Sequence, residues 1–124
     1  MRCARLAATS ALVLASALSA CLGSSPDCAG LPSRIELTVE GGTLTPNDPA
    51  VCRDRDVTLV LTTDADAVFH IHGYDEHVPA TSVTPGAATE IAFPASRSGQ
   101  YPIELHTEDD TAGVSVGIFT VHEP

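Results

Sequence analysis

From Ser33 to Val121 the apolar side chains recur at every second position, and each such run is closed by glycine, proline or a cluster of charge. A period of two puts successive side chains on opposite faces of an extended chain, so each run reads as a β-strand with one buried face. Ile35, Leu37 and Val39 alternate with Glu36, Thr38 and Glu40, and Tyr101, Ile103 and Leu105 alternate with Pro102, Glu104 and His106. No stretch carries a helical period of useful length. Residues 41–49, rich in Gly, Pro, Asn and Asp, are turn chemistry throughout, which a helix cannot cross. Strands are expected over 33–40, 51–63, 67–72, 89–93, 101–105 and 114–121, the last interrupted by Gly117, with Val78 and Val83 covering a sheet edge. The charged run 53–56 is expected to be a solvated loop, and Pro102 places its strand at an edge or beside a bulge. About seven short strands separated by Gly and Pro turns define an all-β sandwich or barrel.

The N-terminus is a different kind of segment. Two arginines lie within residues 1–5, and residues 6–20 are small, apolar and uncharged, the pattern of an exported signal peptide and too short for a convincing membrane span. The run ends Leu18-Ser19-Ala20-Cys21, which matches the bacterial lipobox, so the mature chain is expected to begin at a lipidated Cys21. An ordinary cleavage site followed by a chance cysteine is the alternative. The expected organisation is a lipoprotein signal peptide over 1–20, a lipidated N-terminus and tether over 21–32, and one domain over 33–124. The protein would then sit in the cell envelope, anchored to the outer face of a bacterial membrane, in the periplasm or at the cell surface.

Removing residues 1–20 from the 124 leaves 104, enough for one small domain. It also removes two of the six basic residues and none of the sixteen acidic ones, taking the net charge from −10 to −12. Such a surface repels phosphates and anionic headgroups, which excludes nucleic acid as a partner and leaves the lipid as the membrane contact. A monomer is expected, with no protein partner identifiable. Export also sets the redox compartment. With Cys3 removed and Cys21 lipidated, Cys28 and Cys52 remain as an even pair in an oxidising location, and a disulfide between them is expected. A thiolate metal-ligand pair is the alternative, and the spacing matches no zinc or iron-sulfur pattern.

Histidine carries the remaining chemistry. In Ala67-Val68-Phe69-His70-Ile71-His72, apolar and imidazole side chains alternate, and same-side residues on a strand lie about 6.6 Å apart at Cα, within reach of one ion. No Gly-x-Ser-x-Gly, His-Glu-x-x-His or paired-carboxylate motif occurs, so an enzyme is not expected.

The order of features from Ile35 onward resembles the cupredoxin family. The cues are the Thr63-Asp64 corner, His72-Gly73-Tyr74-Asp75, Thr84-Pro85-Gly86 ahead of Ile91-Ala92-Phe93, Ser98-Gly99-Gln100-Tyr101 and the closing Gly117-Ile118-Phe119-Thr120-Val121. The resemblance implies a Greek-key β-sandwich of two sheets, with His72 in the place of the family's first copper ligand. It also implies a thiolate four residues after the tyrosine that Tyr101 resembles, followed by His and Met. That position is Leu105, and the only methionine is Met1, so a blue or dinuclear copper centre is excluded.

What remains is an imidazole set: His72, His70 and His106, with Glu104, Asp75 or Glu108 beside them, converging at one end of the sandwich by resemblance. Imidazole with carboxylate suits Cu(II) or Zn(II), and neutral imidazole releases its ion as pH falls through about 6.5. His106 is opposite in parity to Leu105, which turns it toward solvent and away from His72 unless a turn at Thr107 intervenes. Two functions stay open. One is a lipid-anchored, extracytoplasmic metal-handling protein with copper or zinc at these residues, in which His72→Ala removes most of the affinity. The other is a metal-free, cupredoxin-derived structural or protein-interaction module at the cell surface.

Overall fold

A computed structural model describes residues 28–124; the expected signal peptide, Cys21 and the first part of the tether lie outside the described residues. The described residues form nine strands: β1 (Arg34–Glu40), β2 (Thr43–Thr45), β3 (Ala50–Cys52), β4 (Asp56–Thr63), β5 (Ala67–Ile71), β6 (Thr81–Val83), β7 (Thr89–Pro94), β8 (Gly99–His106) and β9 (Val114–His122). They form two mixed sheets, one ordered β2-β1-β4-β7 and the other β3-β9-β8-β5-β6, packed as a sandwich. Among the described residues no helix is long and apolar enough to cross a membrane.

The alternation read from the sequence is the alternation that packs. Ile35, Leu37 and Val39 of β1 and Val57, Leu59 and Leu61 of β4 meet Phe69, Ile71, Ile103, Leu105, Phe119 and Val121 from the other sheet in one core. With few large rings available, aromatic packing is concentrated around Tyr74, which is fully buried and lies 4.7 Å from Tyr101 and 5.8 Å from both Phe93 and Phe119, ring centre to ring centre. Its hydroxyl, buried with the ring, accepts from the Arg97 backbone N–H at 3.2 Å, so its polar atom is satisfied.

Several expected features differ in detail. Residues 51–63 are two strands, not one. Asp54 takes a left-handed φ of 63°, and the chain crosses there from β3 in the second sheet to β4 in the first. The crossing is held by main-chain bonds at 2.8 Å, from Arg53 to His122, from Asp54 to Ala95 and from Ala95 back to Arg55. The segment expected to be turn throughout contains β2, because Gly41 and Gly42, both at positive φ, make the tight reversal that returns the chain alongside β1. Val83 belongs to a short edge strand, β6, paired with β5.

Pro102 is not at a sheet edge, since β8 lies between β9 and β5. The His72 N–H donates to the Pro102 carbonyl at 2.9 Å, and the proline has no N–H to return, so the β5 ladder stops here. The bulge sits one residue further on, between Ile103 and Glu104 in the pairing with β9. Gly117 does not interrupt β9; a Cβ there would lie 2.3 Å from the Asn47 carbonyl oxygen, so glycine lets the 46–49 turn lie against the strand.

Cys28 and Cys52 form a disulfide, with Cα atoms 5.5 Å apart and a sequence separation of 24. It fastens the 3-10 turn Cys28–Gly30 to β3, on the strand that precedes the crossing. Closing a loop of this size is worth about 3 kcal/mol by chain entropy. Replacing both cysteines by alanine is therefore expected to lower the unfolding free energy by about that amount in a urea titration; an unchanged midpoint would contradict it.

Candidate metal centre

Because Phe69 and Ile71 face the core from β5, and Ile103 and Leu105 from β8, the residues between them face outward. His70 stands directly opposite Glu104 in the antiparallel ladder, and His106 opposite Val68, one step along the same face. Directly opposed residues on such a ladder have Cβ atoms about 5 Å apart, and the diagonal neighbour is still in reach of a long side chain. His70, Glu104 and His106 accordingly offer three donor atoms within 4.8 Å of one another, and they are the one such group among the described residues.

Each member is half-buried: the side chains of His70, Glu104 and His106 are 18%, 25% and 28% exposed. Glu104 Oε2 lies 3.7 Å from His70 Nδ1 and 3.7 Å from His106 Nε2. Donors around a tetrahedral ion with bonds near 2.0–2.1 Å are about 3.3 Å apart, so the set is within a small side-chain adjustment of closing on one ion.

The other ring nitrogens are engaged. His70 Nε2 is hydrogen-bonded to Asp75 Oδ1, and Asp75 Oδ2 accepts from the Gly73 N–H at 3.2 Å. The hydrogen bond from His70 holds the Asp75 carboxyl below its ordinary range. An ionised carboxylate only accepts, so Nε2 of His70 carries the hydrogen, and in the neutral imidazole Nδ1 is then the lone pair. His106 Nδ1 lies 3.1 Å from the Thr111 carbonyl oxygen, also an acceptor only, so Nδ1 carries a hydrogen and in the neutral ring Nε2 is the lone pair. With both rings neutral, three acceptor atoms thus converge on one another. That arrangement asks for a cation.

Two loops build the rim. Tyr74 and Val78, both fully buried, anchor the turn after β5, with the Tyr74 N–H bonded to the Ile71 carbonyl at 3.0 Å and the Val78 N–H to the Tyr74 carbonyl at 2.9 Å. Arg97 closes the same turn by bonding the Gly73 carbonyl and lying over the Tyr74 and Tyr101 rings. Asp75 thus follows directly on a buried, hydrogen-bonded ring. On the other side, the turn Thr107–Asp110 folds back so that Gly113 lies against His106. A Cβ on Gly113, which is at φ 85°, would sit 2.5 Å from the imidazole Cε1.

The structure brings together three of the four residues expected as ligands. His72, the residue assigned by the resemblance, is exposed beyond the end of β5, its ring 5.8 Å from that of His70, and stands outside the group. The expected convergence at one end of the sandwich is not what forms: the cluster lies on the outer face of the five-stranded sheet. Parity is the reason. His106 does turn outward from Leu105, and because His70 turns outward from Phe69 in the paired strand, the two meet on that face. Glu108 is exposed in the following turn, and Asp75 touches the back of His70, away from Glu104. His77 bonds Ser96 Oγ at 2.7 Å, and His122 lies on β9 opposite Cys52.

No protein-family model and no curated protein matches the chain. Solved structures do. A heme-copper terminal oxidase is 17% identical over 72% of this chain and 64% of its own, with a TM-score of 0.57. Auracyanin from Roseiflexus castenholzii is 20% identical over 74% of this chain and 98% of its own, at 0.57. A multicopper oxidase is 14% identical over 73% of this chain and 42% of its own, at 0.57. The present chain thus spans under two thirds of the first and third of these. The likenesses establish a cupredoxin-like fold.

Gly113→Ala is expected to push the His106 ring out of line with Glu104 and to cost roughly 1–2 kcal/mol, since the residue at this φ also becomes strained. The His106 ring resonances in an NMR spectrum and the thermal midpoint report the two effects, and neither moving would contradict the packing described.

Proposed function

We propose that the protein is a lipid-anchored, extracytoplasmic cupredoxin-like domain that binds Cu(II) or Zn(II) through His70, Glu104 and His106 and serves in metal handling at the bacterial cell envelope. The observation that carries this reading is the convergence of two imidazole lone pairs and a carboxylate oxygen with their opposite nitrogens already committed elsewhere. Two imidazoles and one carboxylate suit Zn(II) and Cu(II), and three protein donors leave coordination positions open to water or an incoming ligand. Without a thiolate or thioether the set holds Cu(I) poorly, which favours a protein that carries or senses a divalent ion over one that cycles electrons. The protein acts in this reading as a monomeric binding protein and not as an enzyme. Support for copper also comes from the fold, which is shared with a heme-copper oxidase and a multicopper oxidase.

The test is a Cu(II) and a Zn(II) titration of the mature protein by calorimetry, with Cu(II) electron paramagnetic resonance. One-to-one binding and a tetragonal, nitrogen-bearing spectrum are expected. His70→Ala, His106→Ala and Glu104→Gln should each weaken binding by on the order of 100-fold or more, above the range usual for outer residues. His72→Ala should change it by no more than about 3-fold, within the spread expected for an exposed side chain outside the donor set. Affinity that survives the loss of His70 or His106 would overturn the site. No binding by the native protein would leave the metal-free interaction module as the function.

A further inference from the structure

Asp75 is exposed, it belongs to no strand, and it faces the proposed ion only through His70. Its two oxygens are nonetheless both used. Oδ1 takes the hydrogen bond from His70 Nε2, and Oδ2 takes the Gly73 N–H, which fixes the carboxylate in the plane that the turn dictates. The turn is itself pinned by the buried Tyr74 ring and by the Arg97 side chain on the Gly73 carbonyl. In the loop after the facing strand the Thr111 carbonyl does the same for His106, but at the other nitrogen, Nδ1. When neutral, the two imidazoles are therefore held in opposite tautomers, and both remaining nitrogens lie 3.7 Å from the same Glu104 oxygen.

We propose that Asp75 is the positioning residue of this centre: by holding Nε2–H of His70 it commits that histidine to bind through Nδ1, while the Thr111 carbonyl commits His106 to bind through Nε2. The inference rests on the metal reading above for its purpose, but its geometry stands in the metal-free protein. A neutral imidazole released from such a partner exchanges between its two tautomers, and the fraction with the wrong nitrogen protonated cannot ligate without first moving that hydrogen. Outer partners of this kind typically change metal affinity by 10–100-fold. Asp75 acts through His70 and does not itself contact the ion, because the His70 ring lies between it and Glu104.

Long-range proton–nitrogen NMR of the metal-free protein, at alkaline pH where imidazole is neutral, reads the tautomers directly. The expected pattern is hydrogen on Nε2 for His70 and on Nδ1 for His106. In Asp75→Ala the His70 signals should move toward a mixture of tautomers while those of His106 stay, with Zn(II) affinity down roughly 10–100-fold. Asp75→Asn keeps one acceptor oxygen and should recover part of both effects. The thermal midpoint, followed in parallel, separates loss of the fold from loss of positioning. Hydrogen on Nδ1 of His70 in the native protein, or unchanged Zn(II) affinity in Asp75→Ala, would overturn the proposal. So would a loss as complete as that of Glu104→Gln with His70 unmoved, which would make Asp75 a ligand. If the native protein takes no Zn(II) and the tautomers are as described, the metal reading fails and the positioning geometry remains.

Discussion

The register between β5 and β8 governs the rest of the molecule. Phe69 against Leu105 and Ile71 against Ile103 on the inner face leave His70 against Glu104 on the outer one. A slip of one residue would turn the two apolar side chains of the slipped strand into solvent and the polar one between them into the core, so burial of two large hydrophobes per strand enforces the polar pairing. Pro102 ends the ladder just beyond it, and the bulge at Ile103 and Glu104 relieves the pairing with β9 without disturbing the pairing with β5. The outer-face cluster is in this sense a by-product of the core.

The fold is cupredoxin-like, and a fold does not by itself fix the chemistry it carries. Leu105 is buried among the core side chains. Tyr74, one residue after the His72-Gly73 pair, fills the interior with a ring whose hydroxyl is already satisfied. The apolar interior is thus closed by packing, and the imidazoles have only the outer face on which to meet. Loops that flank that face supply the orientation: the turn after β5 brings Asp75, and the loop between β8 and β9 brings the Thr111 carbonyl and the glycine that makes room for His106.

Much of this was legible in the sequence, because strand alternation is a local property. Ile35 to Glu40, Thr89 to Phe93 and Tyr101 to His106 show which residues face inward without any knowledge of their neighbours. The Cys28–Cys52 pair was legible too, from arithmetic and compartment. What the sequence could not convey was adjacency. Nothing in it says that β8 lies beside β5, and on that fact depends whether His106 turning away from Leu105 separates it from the other histidines or delivers it to them. Family resemblance pointed to His72, while the pairing register points to His70, since His72 falls past the last rung of the ladder. The short strands β2 and β6 were missed because three residues give no period, and the charged run 53–56, though read as a loop, gives no sign that the chain changes sheets there.

The most direct test of the account is to locate the ion. Crystals of the protein grown with Zn(II) or Cu(II) and measured at the metal's absorption edge give an anomalous peak whose position needs no assumption about ligands. The account predicts one strong peak on the outer face of the five-stranded sheet, bonded to His70 Nδ1, Glu104 and His106 Nε2, with Asp75 still on the far nitrogen of His70. A peak at His72 without His106, or between the sheets near Leu105, would contradict it.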